Sequence, residues 1–291
     1  MNTPASAAHS LPLDRNPPDF VIIGAMKAGT TSLHDYLSVH PQLCMSSEKD
    51  ISYFSARHNW HRGPQWYRSL FADPSRLMGE TSVGYSQYPG TPGVPEKILA
   101  ANPNVKIIYL VRDPIRRIIS HYMHNVAHNR ETRTIDETLV RLDRNHYLNS
   151  SLYYFQLQQY LALIDPSRIL VLASESLSAD RSAVLRRIFS FLGVDPHFTS
   201  PNFDRVLHET RHLRRNTALG SLLDRVPLLS RLKTRVPFTG RAVPTPVLSK
   251  EVRIRLARAL RDDITALSKF TDDSYAAWIT YDNAITELLS G

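Results

Sequence analysis

The chain has 291 residues, 42% of them hydrophobic and 21% charged, which is typical of an ordinary folded protein and sufficient for one large domain. Its single cysteine, Cys44, excludes an intrachain disulfide, and no apolar run is long enough to cross a bilayer. These two features together predict a cytoplasmic protein. The formal net charge of +8 favours anionic ligands. The charge alone does not distinguish binding of nucleic acid, binding of a nucleotide and a contribution to solubility.

The N-terminal segment differs in composition from the rest of the chain. Residues 1–18 are rich in Ser, Ala, Asn and Pro, and they lack the basic start and apolar stretch of a secretory signal, so we expect a disordered tail there. No convincing linker divides residues 19–291, which are predicted to form a single domain. Short apolar runs alternate there with amphipathic stretches, which predicts an α/β fold in three layers, with a central parallel sheet flanked by helices.

The individual elements follow from local patterns. Short apolar runs predict strands at residues 20–23, 106–111 and 168–172. Helical spacing of apolar side chains predicts helices over about residues 31–39, 114–126, 151–164, 183–192 and 250–267. Asp113 is a suitable N-cap for the second of these helices, and Pro114 suits its first turn. Residues 219–247, which are rich in Arg, Pro and Leu, give no prediction of structure.

The first predicted strand runs into a small-residue loop, Gly24-Ala-Met-Lys-Ala-Gly29, that opens a helix. Free backbone N–H groups and the helix dipole at such a position bind phosphate or sulfate. Gly24 and Gly29 have the spacing of the nucleoside triphosphatase loop, which predicts a P-loop-type fold. That loop, however, requires lysine where this chain has Thr30, and the lysine lies inside the loop instead, at Lys27. This departure argues against ATP or GTP hydrolysis.

A second anion site is predicted at the end of the strand over residues 106–111. Arg112 follows that strand, and ligands of open parallel sheets bind beyond the carboxyl ends of the strands. The planar guanidinium of Arg112 suits a phosphate. Ser120 lies about two helical turns beyond Asp113 and can reach the same pocket.

These two motifs, in this order, resemble those of the PAPS-dependent sulfotransferases, and most closely the branch that includes heparan sulfate sulfotransferases and their bacterial relatives. PAPS is 3′-phosphoadenosine 5′-phosphosulfate, and the resemblance extends from about residue 20 to residue 278. It implies that the 5′-phosphosulfate is held by Lys27, Ala28, Gly29, Thr30, Thr31 and Ser32. It further implies that Arg112 and Ser120 bind the 3′-phosphate, and that Arg214, in a late basic loop, closes over the donor.

The resemblance also implies a catalytic carboxylate. Residues 48–54 resemble the family segment that carries it, which places Asp50 at the position where relatives usually have glutamate. Glu48 or Glu80 are the alternatives, and a buried pair with an arginine is the structural alternative for Glu80. The expected reaction is in-line transfer of a sulfonate group to a hydroxyl of a sugar, lipid or small molecule, with Lys27 stabilising the leaving phosphate and no metal required.

Other functions and sites remain open on the sequence alone. The main alternatives are a P-loop kinase that uses Mg²⁺ and ATP, and a non-enzymatic protein that binds nucleic acid or an anionic glycan through its basic segments. His121, His124 and His128 could hold zinc, but a polar helix face is the preferred interpretation. An aromatic-rich stretch over residues 53–67 is interpreted as core packing, with an acceptor cleft as the alternative. We expect no nucleic-acid partner, and the oligomeric state is not predicted.

Overall fold

A parallel β-sheet organises the fold. The structure is a computed structural model that describes residues 16–204, 242–275 and 278. In these ranges the strands are β1 (Phe20–Gly24), β2 (Leu43–Met45), β3 (Leu77–Thr81), β4 (Lys106–Val111) and β5 (Ile169–Ala173). They lie in the order β2-β3-β1-β4-β5, and every neighbouring pair is parallel. The predicted α/β class with a central parallel sheet is therefore confirmed.

Helices flank this sheet in the described part of the chain. They are α1 (Thr30–Ser38), α2 (Gly63–Arg68), α3 (Val94–Ala101), α4 (Pro114–Ala127), α5 (Ile135–Thr138), α6 (His146–Asn149), α7 (Tyr153–Leu161), α8 (Ser174–Ala179), α9 (Arg181–Leu192) and α10 (Lys250–Thr271). Short 3₁₀ turns lie at Trp60–Arg62, Val83–Ser86, Pro166–Arg168 and Pro201–Asp204. No helix within the described ranges is long and apolar enough to cross a bilayer.

The central strands explain why the chain forms this sheet. β1 is buried along its whole length, and β4 is buried from its second residue onward, as expected for parallel strands covered on both faces. β3 fits beside β1 because Gly79 pairs with Phe20, whose ring lies so close that a Cβ at residue 79 would approach it to 2.0 Å. A glycine there is a packing requirement, and it makes this strand hard to recognise from sequence.

Most predicted elements are confirmed, with shifts of a few residues at their ends. β1, β4, β5, α1, α4 and α9 lie where the sequence predicts them. The helix predicted over residues 151–164 is shorter, at Tyr153–Leu161, and the one predicted over 250–267 continues to Thr271, where Asp272 ends it with a positive φ of 55°. β2 is not predicted from the sequence, and the end of β3 is indicated only by the family resemblance of residues 79–85.

The N-terminal region is described from Asn16 onward, and residues 1–15 of the predicted tail lie outside the described residues. Pro17 and Pro18 are buried, and the Pro18 carbonyl accepts a hydrogen bond from Asn102 Nδ2 at 3.0 Å. The chain is therefore packed against the domain two residues before the predicted domain start at residue 19.

Candidate functional site

Three adjacent strands bring the candidate residues to one edge of the sheet. β1 is the central strand, with β3 on one side and β4 on the other, and all three end at the same edge because they are parallel. Lys27 follows β1 and Arg112 follows β4, while the backbone N–H of Asp50 donates to the carbonyl of Thr81 at the end of β3 at 2.8 Å. The sheet order therefore places the loop of Lys27 between Asp50 and Arg112.

The loop after β1 has the backbone of an anion site. Ala25 N donates to the Leu110 carbonyl at 2.6 Å, which ties the loop to β4. Lys27 and Gly29 both have positive φ, at 73° and 96°, so the chain turns sharply before α1. Gly29 is the N-cap of α1 and offers no side chain to cap the helix. The amides of the first turn therefore have no side-chain acceptor from the N-cap, and an anion can take that place.

Lys27 and Arg112 lie next to each other. The Arg112 guanidinium donates through Nη1 to the Lys27 carbonyl at 3.1 Å, so the two motifs that the sequence places 85 residues apart meet at one point. Burial, together with the charges of Arg112 and Lys49, lowers the pKa of Lys27. Within the described ranges, neither Lys27 nor Arg112 forms an ion pair with a carboxylate. Two neighbouring cations without an acidic partner favour a bound anion.

The start of α4 holds Arg112 in place. Asp113 caps the helix by accepting from Arg116 N at 3.0 Å, as predicted, and Asp113 N donates to Glu175 Oε1 at 3.1 Å. The Tyr153 hydroxyl donates to the Arg112 carbonyl at 2.7 Å. These bonds fix the backbone on both sides of Arg112, so its fork is held close to the loop after β1. Further along α4, Ser120 is buried.

Asp50 is an accessible carboxylate at this edge. Its side chain is 46% exposed, and its backbone has a positive φ of 58°, which Asp tolerates better than most residues. Oδ1 accepts from Val83 N at 3.1 Å, and Oδ2 pairs with Lys49 Nζ at 2.6 Å. The carboxylate is thus anchored at both oxygens but remains open to solvent.

Glu80 has a different environment. It is 0% exposed and accepts hydrogen bonds from the hydroxyls of Tyr85 and Ser82. Burial raises the pKa of Glu80 to about 7, against the lowering effect of its hydroxyl donors, and the charge of Asp50 raises it further. The arginine pair that the sequence analysis considered for Glu80 is not formed with any described residue. Glu48 is exposed, and its carbonyl accepts from the Ser46 hydroxyl at 2.8 Å.

The structure also reveals a charged residue that sequence reasoning missed. Arg117 is 0% exposed, and it donates to the Ser151 hydroxyl and to the Tyr147 carbonyl, each at 2.7 Å. No described carboxylate pairs with it. An arginine in an amphipathic helix is normally assigned to the solvated face, and only its i,i+4 spacing to the buried His121 could have indicated burial.

The histidines of α4 do not form a simple polar face. His121 is buried beside Arg117, and burial, followed by the charge of Arg117, lowers its pKa to about 2. Burial also lowers the pKa of His124 to about 4, with smaller effects from His128 and Lys27. The polar-face interpretation does not hold for His121, because this side of α4 packs inward and His121 is buried. No group of residues suited to a metal ion is found in the described ranges.

The aromatic stretch packs mainly into the core, as interpreted from the sequence. Tyr53 and Tyr67 are buried and stack with ring centroids 4.3 Å apart, with Phe54 beside them. Trp60 remains 41% exposed and lines a cavity of about 580 Å³. This cavity also borders Ala100 and Ala101 at the end of α3, and Asp50 is not among its lining residues.

Arg214 and the rest of the late basic loop lie outside the described residues, as does most of the segment 219–247. The fold and site together define a class of α/β protein in which a loop after the first strand and an arginine after the fourth meet at the carboxyl edge of the sheet, where an anionic ligand can bind.

Comparison with known proteins identifies the family within that class. The sulfotransferase domain family matches residues 17–214, and the chain belongs to that family. The bifunctional heparan sulfate N-deacetylase/N-sulfotransferases 4 and 1 of Mus musculus are 26% and 30% identical over 199 and 195 residues, which cover 62% and 61% of this chain. The chain spans only about a quarter of the length of these curated relatives, since the matches cover 23% and 22% of them.

A solved structure agrees with this assignment. The sulfotransferase from Alicyclobacillus acidocaldarius superposes with a TM-score of 0.67 at 26% identity, and the match covers 90% of this chain and 98% of that one. The family resemblance drawn from the two anion motifs is thereby confirmed. The chain is a sulfotransferase-domain enzyme. The two alternative functions, a P-loop kinase and a non-enzymatic binding protein, do not account for this family match.

Proposed function

We propose that this protein transfers a sulfonate group from PAPS to a hydroxyl acceptor and releases 3′-phosphoadenosine 5′-phosphate, PAP. The observation that carries the proposal is the contact between Arg112 and the Lys27 carbonyl, because it joins two cationic motifs into one site. PAPS has a phosphosulfate at one end and a phosphate at the ribose 3′ position. A site with two adjacent cations and an N-terminal helical turn that lacks a side-chain cap suits a ligand with two separate anionic groups.

The binding roles follow the two motifs. Lys27 and the loop and helix start from Ala28 to Ser32 hold the 5′ end of the donor, through backbone N–H groups and the hydroxyls of Thr30, Thr31 and Ser32. Arg112 holds the 3′-phosphate, with Ser120 on α4 as a second donor. Arg214 is proposed to close over the donor from a segment outside the described residues.

The chemical step needs a proton acceptor and a group that stabilises the leaving oxygen. The bound donor supplies the sulfonate group. Asp50 accepts the proton of the acceptor hydroxyl as the hydroxyl oxygen forms its bond to sulfur. Lys27 donates to the oxygen that bridges sulfur and the 5′-phosphate, on which negative charge develops as the sulfur–oxygen bond breaks. The proton ends on Asp50 and the electron pair on the 5′-phosphate of PAP.

Exposure favours Asp50 over Glu80 as the base. Asp50 is 46% exposed and lies on the open side of the sheet edge, so an acceptor can reach it. Glu80 is 0% exposed behind Ser82 and Tyr85, and a bulky acceptor cannot contact it. The adjacent Lys49 pairs with Asp50, and this cation can stabilise the carboxylate until the acceptor binds.

An amine is the second candidate acceptor. The printed names of the curated relatives describe N-sulfotransferases, and this similarity favours an amino group on a glycan as the alternative to a hydroxyl. The same site suits both, since a neutral amine also loses one proton to the base after it attacks sulfur.

The direct test is transfer of radiolabelled sulfonate from PAPS. Purified protein is incubated with labelled PAPS and with acceptor sets that carry hydroxyl groups or amino groups, and labelled products are separated and identified. We expect metal-independent transfer to one set, about 10²-fold slower in Lys27→Ala and in Asp50→Asn. Arg116→Ala, a change at an exposed arginine on α4, is the matched control and should retain full activity. Label transfer that survives undiminished in Lys27→Ala would contradict the assignment.

A further inference from the structure

The buried carboxylate of Glu80 is bonded to two hydroxyl groups. The Tyr85 hydroxyl donates to Oε1 at 2.9 Å, and the Ser82 hydroxyl donates to Oε2 at 3.2 Å. Both hydroxyl-bearing residues are themselves buried. The two oxygens of one carboxylate therefore each hold a different hydroxyl, next to the end of β3.

Each hydroxyl in turn accepts a backbone N–H from the segment that carries Asp50. Ser52 N donates to the Ser82 hydroxyl at 2.9 Å, and Phe54 N donates to the Tyr85 hydroxyl at 3.0 Å. Two chains of hydrogen bonds, called relays below, thus connect Glu80 through one hydroxyl each to the backbone amides of Ser52 and Phe54.

The backbone amides determine the direction of these hydrogen bonds. An amide N–H can only donate, so the hydroxyl it meets must use a lone pair there and direct its own proton elsewhere. Both hydroxyl protons point to Glu80, which must accept at both oxygens. A carboxylate accepts at both positions, whereas an amide presents an NH₂ donor at one of them.

The segment held in this way has a strained backbone. Asp50 and Ser52 both have positive φ, at 58° and 51°. Residues other than glycine adopt such conformations at a cost, and they persist only where surrounding contacts enforce them. The relays supply contacts of this kind immediately after Asp50.

We propose that Glu80 is a positioning residue, whose carboxylate acts through two hydroxyls to hold the backbone that presents Asp50 to the acceptor. This inference rests on the proposed function of Asp50 as the base. It assigns a role to a buried acid that cannot contact the substrate, and it explains why an ionisable group is retained in a fully buried position.

A mutant cycle separates positioning from direct catalysis. Glu80→Gln should lower kcat about ten-fold or more, with little change in the affinity for PAP, because the contacts of Lys27 and Arg112 are untouched. In an Asp50→Asn background, the same change should have no further effect on kcat, since the residue through which it acts is already lost. A further ten-fold loss in that background would show that Glu80 acts on the substrate by another route and would overturn the proposal.

Amide hydrogen exchange tests the relays without any need for activity. Glu80→Gln should accelerate exchange at Ser52 and Phe54, while the amides of β4 keep their protection. Tyr85→Phe should accelerate Phe54 alone, and Ser82→Ala should accelerate Ser52 alone; these two variants serve if Glu80→Gln does not fold.

The matched control is Glu131→Gln, which alters another buried carboxylate that accepts backbone amides, at residues 132 and 133. It should leave kcat and exchange at both relay amides unchanged. Unchanged exchange at Ser52 and Phe54 in Glu80→Gln overturns the relay even if the protein transfers sulfonate. Accelerated exchange without any sulfotransferase activity would instead keep the relay and contradict the proposed function.

Discussion

The substitution Gly29→Ala tests the anion loop at its most constrained position. Gly29 caps α1 with a φ of 96°, a conformation that costs a residue with a Cβ about 1–2 kcal/mol. The added Cβ would meet Leu110 Cδ2 at 3.8 Å, an ordinary contact, so the protein itself has room for it. The substitution therefore introduces conformational strain without a steric clash.

The substituted residue has two alternatives, since it either keeps the positive φ or relaxes to a negative φ. If the loop keeps its shape, the free energy of unfolding falls by about 1–2 kcal/mol. If φ relaxes to a negative value, the peptide groups at the start of α1 turn and no longer point at the 5′ end of the donor. We expect the second effect to lower the affinity for PAP at least about ten-fold, which corresponds to ~1.4 kcal/mol.

Gly193→Ala is the matched control for this prediction. Gly193 ends α9 with a φ of 81°, and a Cβ there would meet nothing within 4 Å. It should cost a similar ~1–2 kcal/mol of stability but leave PAP binding unchanged. Stability is measured by denaturant unfolding and affinity by calorimetry. If Gly29→Ala shows no loss of stability, so that the loop has relaxed, and still binds PAP as tightly as the wild type, the role of this loop is refuted.

Three further predictions concern other groups. Arg112→Lys keeps the charge but loses the planar fork, so PAP affinity measured by calorimetry should fall about ten-fold or more, whereas Arg116→Lys should bind as the wild type does. Asp50→Asn tolerates the same positive φ, so in a coupled assay kcat should fall about 10²-fold with little change in PAP affinity; an equal loss of affinity would show that the substitution disturbs the donor site. Burial raises the pKa of Asp263 from 3.8 to about 6, so the stability contributed by its protonated side chain is present below about pH 4 and is lost as the pH rises through 6. In urea unfolding, the wild type should therefore lose up to ~3 kcal/mol relative to Asp263→Asn between pH 4 and 7. Parallel curves of unfolding free energy against pH for the two proteins would contradict this.

The sequence predicted the central strands and the position of the candidate anion loop because both have strong local signals. β1 and β4 are continuous apolar runs that end in polar, small or charged residues, and a fully buried parallel strand has that appearance. The position of Lys27 between two glycines identified the anion loop without reference to any contact. Its meeting with Arg112 followed from the rule that ligands bind at the carboxyl edge of parallel strands.

The remaining features depend on contacts that local patterns do not encode. β3 contains Gly79 because the Phe20 ring occupies the space of a side chain, so this strand lacks the β-branched run that identifies most strands. Arg117 is buried against polar partners at Tyr147 on α6 and at Ser151 between α6 and α7, and the pattern of α4 does not identify these partners. Glu80 was identified as a candidate base, but its two hydroxyl partners and their amide donors become evident only when the segment 50–54 is placed beside β3.

In the proposed function, one site binds both anionic ends of a single nucleotide. Calorimetric titration of the wild-type protein with PAP and with adenosine 5′-phosphate, in the presence of a chelator, tests it most directly. We expect PAP to bind at least about ten-fold more tightly than the nucleotide without the 3′-phosphate, and Arg112→Lys to lose most of that preference. Equal affinity for the two nucleotides, or no binding of PAP without a metal ion, would contradict the account.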